Sequence, residues 1–369
     1  MTVLLWILVA LAVPTVLFGA WLAVVFLKTF FSWSPDDEET LTAEAAKAAE
    51  TARGLGLLPV ERQNTEYAAA LPEEWSAALT AVRDGDWRPA AGLLRAVGRD
   101  WERRSAIAYL LAEKAAEDDE WLLAWESERA DDPDAAVVRA RSTVVLAWKL
   151  RGAKRSQYTT REQFDRFHRM LGSARAETER AAALNPDDPT PYITEIWIAL
   201  GLGYPNAEMD RLWEEITARA PHHYEAAFSA LQYWCAKWRG SERLASEFAE
   251  RVAKDAPVGS LLTAMPLIAH FEHDESEDVS ADNTPEMRAR VEAALVDVAA
   301  ADPAHPRVAE LRHLLAFYLH LQDRDEAALE QFTLVDGYVH ALPWRYRPGP
   351  AAYYCQVRDA VAQAVAGTA

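Results

Sequence analysis

The segment His270-Phe271-Glu272-His273-Asp274-Glu275 holds the densest set of metal-type donors in the chain. Histidines at i and i+3 near a helix end can face one ion, and neighbouring carboxylates can complete its shell. That pattern defines one candidate site, a metal centre on His270 and His273 serving a metal-dependent enzyme or binder. The same stretch runs on through polar and acidic residues from Ser276 to Asp282, and so reads equally as a solvated loop. Thr284 as N-cap and Pro285 at the first helical position mark the restart of helix beyond it. His222-His223 is a weaker pair at a turn.

A second candidate is the basic, aromatic run from Pro343 to Pro350 within an acidic chain. Arg345 and Arg347 could grip an anion or an acidic peptide through forked guanidinium donors. The alternative is a loop that joins the last helical repeat to a closing helix starting at Ala351. Together with Trp197 and Tyr233, these two arginines are the residues expected to touch a partner. Trp121 and Trp125, one helical turn apart, share a face and read as core packing. Cys235 and Cys355 lie among aromatics, far apart and without a CxxC pattern, and read as buried thiols. Gly240 suits a tight turn and Ser241 an N-cap for a helix from Glu242. The chain has no Gly-rich phosphate loop, HExxH or GxSxG pattern, so no catalytic residue and no cofactor is assigned, and the expectation is a protein that is not an enzyme.

The elements that must position these residues are helices. The first 27 residues carry no charged side chain, and Val3 to Leu27 give 25 almost wholly apolar positions. A helix of that length reaches about 37 Å, enough to cross a hydrocarbon core of about 30 Å with some tilt. Pro14 is tolerable inside such a span, and Phe30, Phe31 and Trp33 after Lys28 suit the headgroup region. A lone lysine after the span and no basic side chain before it predict a cytoplasmic large domain. The reading divides the chain into an anchor (1–33), an acidic, alanine-rich linker with a short helix over 42–53 (34–72), and a helical-repeat domain (73–367).

From Pro72 the sequence is a succession of amphipathic stretches of 12–20 residues with no sustained period-two alternation, so the domain is all-α. Prolines recur at related turns: Pro133, Pro186, Pro221, Pro257 and Pro303. The central intervals of 35 and 36 residues match a helix–turn–helix repeat of about 34; the flanking intervals of 53 and 46 require insertions. Near the C-terminus Leu315-Ala316 and Leu319, then Ala328 and Phe332, occupy the small and large positions that let paired helices approach closely. A similar turn at Asp84-Gly85-Asp86 lies inside a weaker match from Trp75 to Val97. The predicted fold is a tetratricopeptide-like α-solenoid behind one transmembrane helix.

Three short motifs occur in order: Trp121-Leu122-Leu123-Ala124-Trp125, Ala147-Trp148-Lys149-Leu150-Arg151-Gly152, and Trp238-Arg239-Gly240-Ser241. With the Asn185-Pro186 turn they resemble an uncharacterised bacterial family of tetratricopeptide-like proteins over residues 100–255, with Arg239 where that family usually has a second glycine. The resemblance implies a helical-repeat fold and supplies no activity. The net charge of −19 repels phosphate backbones, and no basic cluster offsets it, which argues against nucleic-acid binding. These readings converge on a membrane-anchored scaffold for a protein or peptide partner, one with basic segments if net charge alone decides. The alternatives are the His270/His273 metal protein and a structural subunit of a larger membrane complex.

Overall fold

A computed structural model describes residues 35–152, 160–274 and 279–368. The apolar stretch 3–27 lies outside them; among the described residues no helix is long and apolar enough to cross a membrane. The described chain is all-α, with sixteen α-helices and no strand. In order these are α1 (Pro35–Gly54), α2 (Glu73–Arg83), α3 (Arg88–Val97), α4 (Trp101–Ala115), α5 (Glu120–Glu128) and α6 (Pro133–Arg151). Then come α7 (Arg161–Leu184), α8 (Thr190–Leu202), α9 (Asn206–Arg219), α10 (Tyr224–Trp234) and α11 (Glu242–Lys254). The last are α12 (Met265–Phe271), α13 (Pro285–Ala300), α14 (Val308–Leu321), α15 (Asp325–Val335) and α16 (Pro350–Thr368).

The helix starts are written locally. Asp132 accepts from the Asp134 N–H with Pro133 at the first position of α6. Thr160 and Gln163 form a reciprocal capping box at α7. Ser241 caps α11 through Leu244 N–H, and Thr284 caps α13 through Met287 N–H. Each such bond satisfies a donor that a helix end leaves orphaned.

Consecutive helices pack as pairs: α2 with α3, α6 with α7, α8 with α9, α10 with α11, α14 with α15. Even-numbered helices also touch the next even-numbered one, α2–α4–α6–α8–α10–α12. The five prolines that punctuate the sequence all fall where an odd-numbered helix ends and the next pair begins. The long intervals have a plain cause. Helices α6 and α7 have 19 and 24 residues, and long connections flank α12. Helix α4 also touches α10.

Residues 34–72, read as a linker, are largely part of the folded body. Helix α1 is longer than the short helix expected there and lies along α16. Ala52 and Leu57 bury against Ala362. The strand-like segment after it follows residues 336–340: Asn64 N–H donates to Gly337 O (2.8 Å), Val339 N–H to Asn64 O (2.9 Å), and His340 N–H to Tyr67 O (3.0 Å). The two ends of the described chain are thus stitched together. Trp121 and Trp125 are core, as their spacing predicts, with Trp125 stacked on Trp87 at 5.4 Å. Both cysteines are buried free thiols; burial pushes Cys235 up to about 12 and Cys355 up to about 11.

Candidate functional site

The even-numbered helices α4, α6, α8, α10 and α14 enclose a cavity of about 670 Å³. Its apolar wall is aromatic. Trp148, in the last turn of α6, meets Trp197 of α8 edge-on at 6.1 Å and Trp238, in the turn after α10, edge-on at 5.3 Å. Trp197 Nε1–H is fixed by Ser229 Oγ (3.1 Å), whereas Trp148 Nε1–H has no acceptor among the described residues. The turn carrying Trp238 is shaped by Gly240, where a Cβ would fall 1.7 Å from Trp234 O, so only glycine fits without a backbone shift.

The charged wall is a chain of arginines and glutamates. Glu225 of α10 is shared by Arg141 of α6 (3.3 Å) and Arg307, just ahead of α14, which also pairs with Glu310. Burial would raise the Glu310 carboxyl, but the Arg307 and Arg345 guanidinia hold it below its ordinary range. Burial would lower Arg307, but Glu225 and Glu310 raise it. Tyr109 donates to Glu113 (3.1 Å), and burial together with that carboxylate raises its phenol. Arg307 and Glu310 are therefore each held in the charged form by the other, while the Tyr109 phenol is held neutral.

Two further cations reach the cavity without a carboxylate at ion-pair distance among the described residues. Arg151 lies over the Trp148 and Trp238 rings, 5.4 Å from each centroid, and burial lowers its pKa. Arg345 lies over Phe228 of α10 at 5.6 Å. Its loop is pinned by Tyr346, which donates to Glu272 (2.7 Å), a carboxylate that also takes Lys237 at 2.5 Å. Trp344 beside it is fully buried, with Nε1–H donating to His313 Nδ1 (3.1 Å).

Of the residues singled out from sequence, Trp197 and Arg345 thus meet in one cavity. Tyr233 does not: it is fully buried, its hydroxyl bonded to Tyr204 O (2.6 Å), and belongs to the core. Arg347 lies outside, over Tyr353 at 5.0 Å. The cavity also gathers Trp148, Arg151 and Trp238, which stand in two of the short motifs quoted above, and Arg141, Glu225 and Arg307, whose alignment depends on the curvature of the array.

The histidine segment separates its two histidines. Both ring nitrogens of His273 are engaged, Nδ1 with Ala269 O (2.8 Å) and Nε2 accepting from Ala236 N–H (3.1 Å), so it has no lone pair to share with His270. His270 Nε2 instead sits 2.9 Å from Asp282 and 3.8 Å from Asp274. Single donor atoms from these three residues lie within 4.8 Å of one another. His223 is likewise committed, to Ser105 (3.2 Å) and to the Ala226 N–H. A larger groove of about 980 Å³ between α1 and α16 passes Cys355, but its deepest charged pair, Arg358 and Asp359, is already bonded together at 2.6 Å. No protein-family model matches the chain, and no curated protein matches it either.

Proposed function

We propose that the protein is a membrane-anchored interaction scaffold, a tetratricopeptide-like α-solenoid that holds a segment of a partner protein in the cavity on its inner face. One observation carries this reading: helices α4, α6, α8 and α10, which touch one another in succession, and α14 turn aromatic and charged side chains toward one space of about 670 Å³. A stack of helical pairs exposes such an inner surface as a consequence of its curvature, and such surfaces suit extended polypeptide. The apolar segment 3–27 supplies the anchor, with the array on the cytoplasmic side. Because α1 follows that segment and lies on α16, the anchor holds the array by its C-terminal end. Tethering raises the local concentration of whatever the cavity holds.

The test is photocrosslinking in intact membranes from Phe228, inside the cavity, against Leu334, exposed on α15. The scaffold reading expects a discrete adduct from position 228, lost in Trp197→Ala and absent from position 334. Adducts of equal yield from both positions, or none from the cavity, would overturn it.

A second reading, a metal-dependent binder, keeps one observation: the convergence of His270, Asp274 and Asp282. Titrating the full chain in detergent with Zn²⁺ or Mn²⁺ by calorimetry, beside His270→Ala, tests it. Stoichiometric heat lost in the variant supports that reading, and its absence removes it.

A further inference from the structure

The balance of charge inside the cavity is opposite to that of the chain. Five cationic side chains line it against three carboxylates, in a protein of net charge −19. The three carboxylates are all occupied: Glu225 by Arg141 and Arg307, Glu310 by Arg307, and Glu113 by the Tyr109 hydroxyl. Lys149 is drawn to Glu117 at 3.6 Å, outside the lining. Two cations, Arg151 and Arg345, have no carboxylate at ion-pair distance among the described residues; Arg345 acts on Glu310 only from farther off. Each lies over aromatic rings; Arg151 spends one N–H on Gly152 O (3.3 Å), and the remaining donors of both guanidinia are open to an acceptor.

The cavity is also closed at one end. Glu102 in the first turn of α4 accepts from Tyr224 N–H at the start of α10 (2.5 Å), and Ser105 bonds His223 just ahead of it (3.2 Å). The lining residues Tyr109, Glu113 and Phe228 all come after these contacts along their helices. A chain running straight through would have to break that seal; a chain end would not.

We infer that the cavity takes the C-terminus of a partner polypeptide, its α-carboxylate on Arg151 and Arg345 and an apolar last side chain against Trp148, Trp197 and Trp238. This rests on the scaffold reading and narrows it. A carboxylate is planar and matches the forked donors of arginine, and two half-buried guanidinia without an ion-pair partner at contact distance are suited to it. The Trp148 indole N–H, buried without an acceptor among the described residues, lies on the same wall. Net charge alone had suggested a basic partner. The outer surface can still steer one, while the cavity selects its acidic end.

The experiment uses the full chain in detergent and a library of decapeptides anchored by their N-termini, ending in Phe, Leu or Val, each as free acid and as amide. Peptides ending as free acids are expected to bind, with affinity falling roughly ten- to hundredfold on amidation, the range for a charged hydrogen bond. A similar loss is expected in Arg151→Gln and in Arg345→Gln, and none in Arg243→Gln, whose pair with Glu247 lies on the exposed face of α11. Melting temperatures establish that each variant is folded. Equal binding of acids and amides, or arginine variants that bind as wild type, would overturn the carboxylate assignment; if Trp197→Ala still abolishes that binding, the scaffold reading stands. Binding indifferent to Trp197→Ala would overturn both, and a library with no binder would overturn the C-terminal assignment.

Discussion

Two arginine–carboxylate hubs sit in this molecule, one around Asp336 and one around Glu225, and they are built to different ends. Asp336 accepts from the Leu58 N–H (2.6 Å), from Gln63 Nε2 (3.0 Å) and from Arg358 Nη1 (2.5 Å). Arg358 spends its other donors on Leu58 O and Asp359. Both carboxylates there, Asp336 and Asp359, are bonded to the one guanidinium, and the bonds tie residues 58–63 to residues 336–359 across most of the sequence. Glu225 binds two arginines where Asp336 binds one, and its surroundings carry two more, Arg151 and Arg345, that make no ion pair at contact distance among the described residues. A saturated hub has nothing left to offer a ligand and acts as a staple. A hub with surplus charge held on aromatic rings is poised for an outside partner.

The comparison breaks most readily at the staple. Asp336→Ala leaves the Leu58 N–H without its acceptor and takes one acceptor each from the buried Arg358 guanidinium and the Gln63 amide, which keep Asp359 and Leu58 O, and is expected to cost about 3–5 kcal/mol in chemical denaturation. A loss below about 1 kcal/mol would show that the stitched ends contribute little.

Next in size is a pH effect at the same junction. His313 is fully buried, its Nε2–H donating to Ala68 O and its Nδ1 accepting from Trp344, and burial lowers its pKa to about 4. The unfolded chain binds this proton near pH 6.5 and the folded chain does not, so stability falls as pH drops from 6.5 toward 4. The loss amounts to about 3 kcal/mol for this residue. Denaturation curves at pH 7.5 and pH 4.5 should differ less in His313→Gln than in wild type.

Gly240→Ala bridges the two regions, since its Cβ would strike Trp234 O in the turn that presents Trp238. A cost of about 1–3 kcal/mol is expected, with weakened binding at temperatures where the variant is still folded. The smallest stability effect belongs to Arg151→Gln, within about 0.5 kcal/mol of wild type, because no ion pair is lost.

Much of this fold is readable in the sequence because its determinants are local. Asp132-Pro133, Ser241 and Thr284-Pro285 are cap signals spanning two to four residues, and each starts a helix where it stands. The fate of residues 57–68 was not readable, since their partners are about 270 residues away and no local pattern announces an edge-to-edge pairing. The cavity is intermediate. Trp148, Arg151 and Trp238 stood out as motifs, and Trp197 and Arg345 as contact residues, but Tyr233 differs from them only in which way its helix face turns. The His270/His273 pair had ligand spacing, yet helix ends are also where histidines bond backbone groups, as His273 does to Ala269 O.

The most direct test of the two-hub account measures Asp336→Ala and Arg151→Gln side by side, for stability and for binding of the free-acid peptide library. The account predicts a crossed result: Asp336→Ala loses stability and, where folded, keeps its ligand, while Arg151→Gln keeps stability and loses ligand at least tenfold. If both variants lose the same property, or neither loses either, the distinction between the staple and the binding hub is wrong.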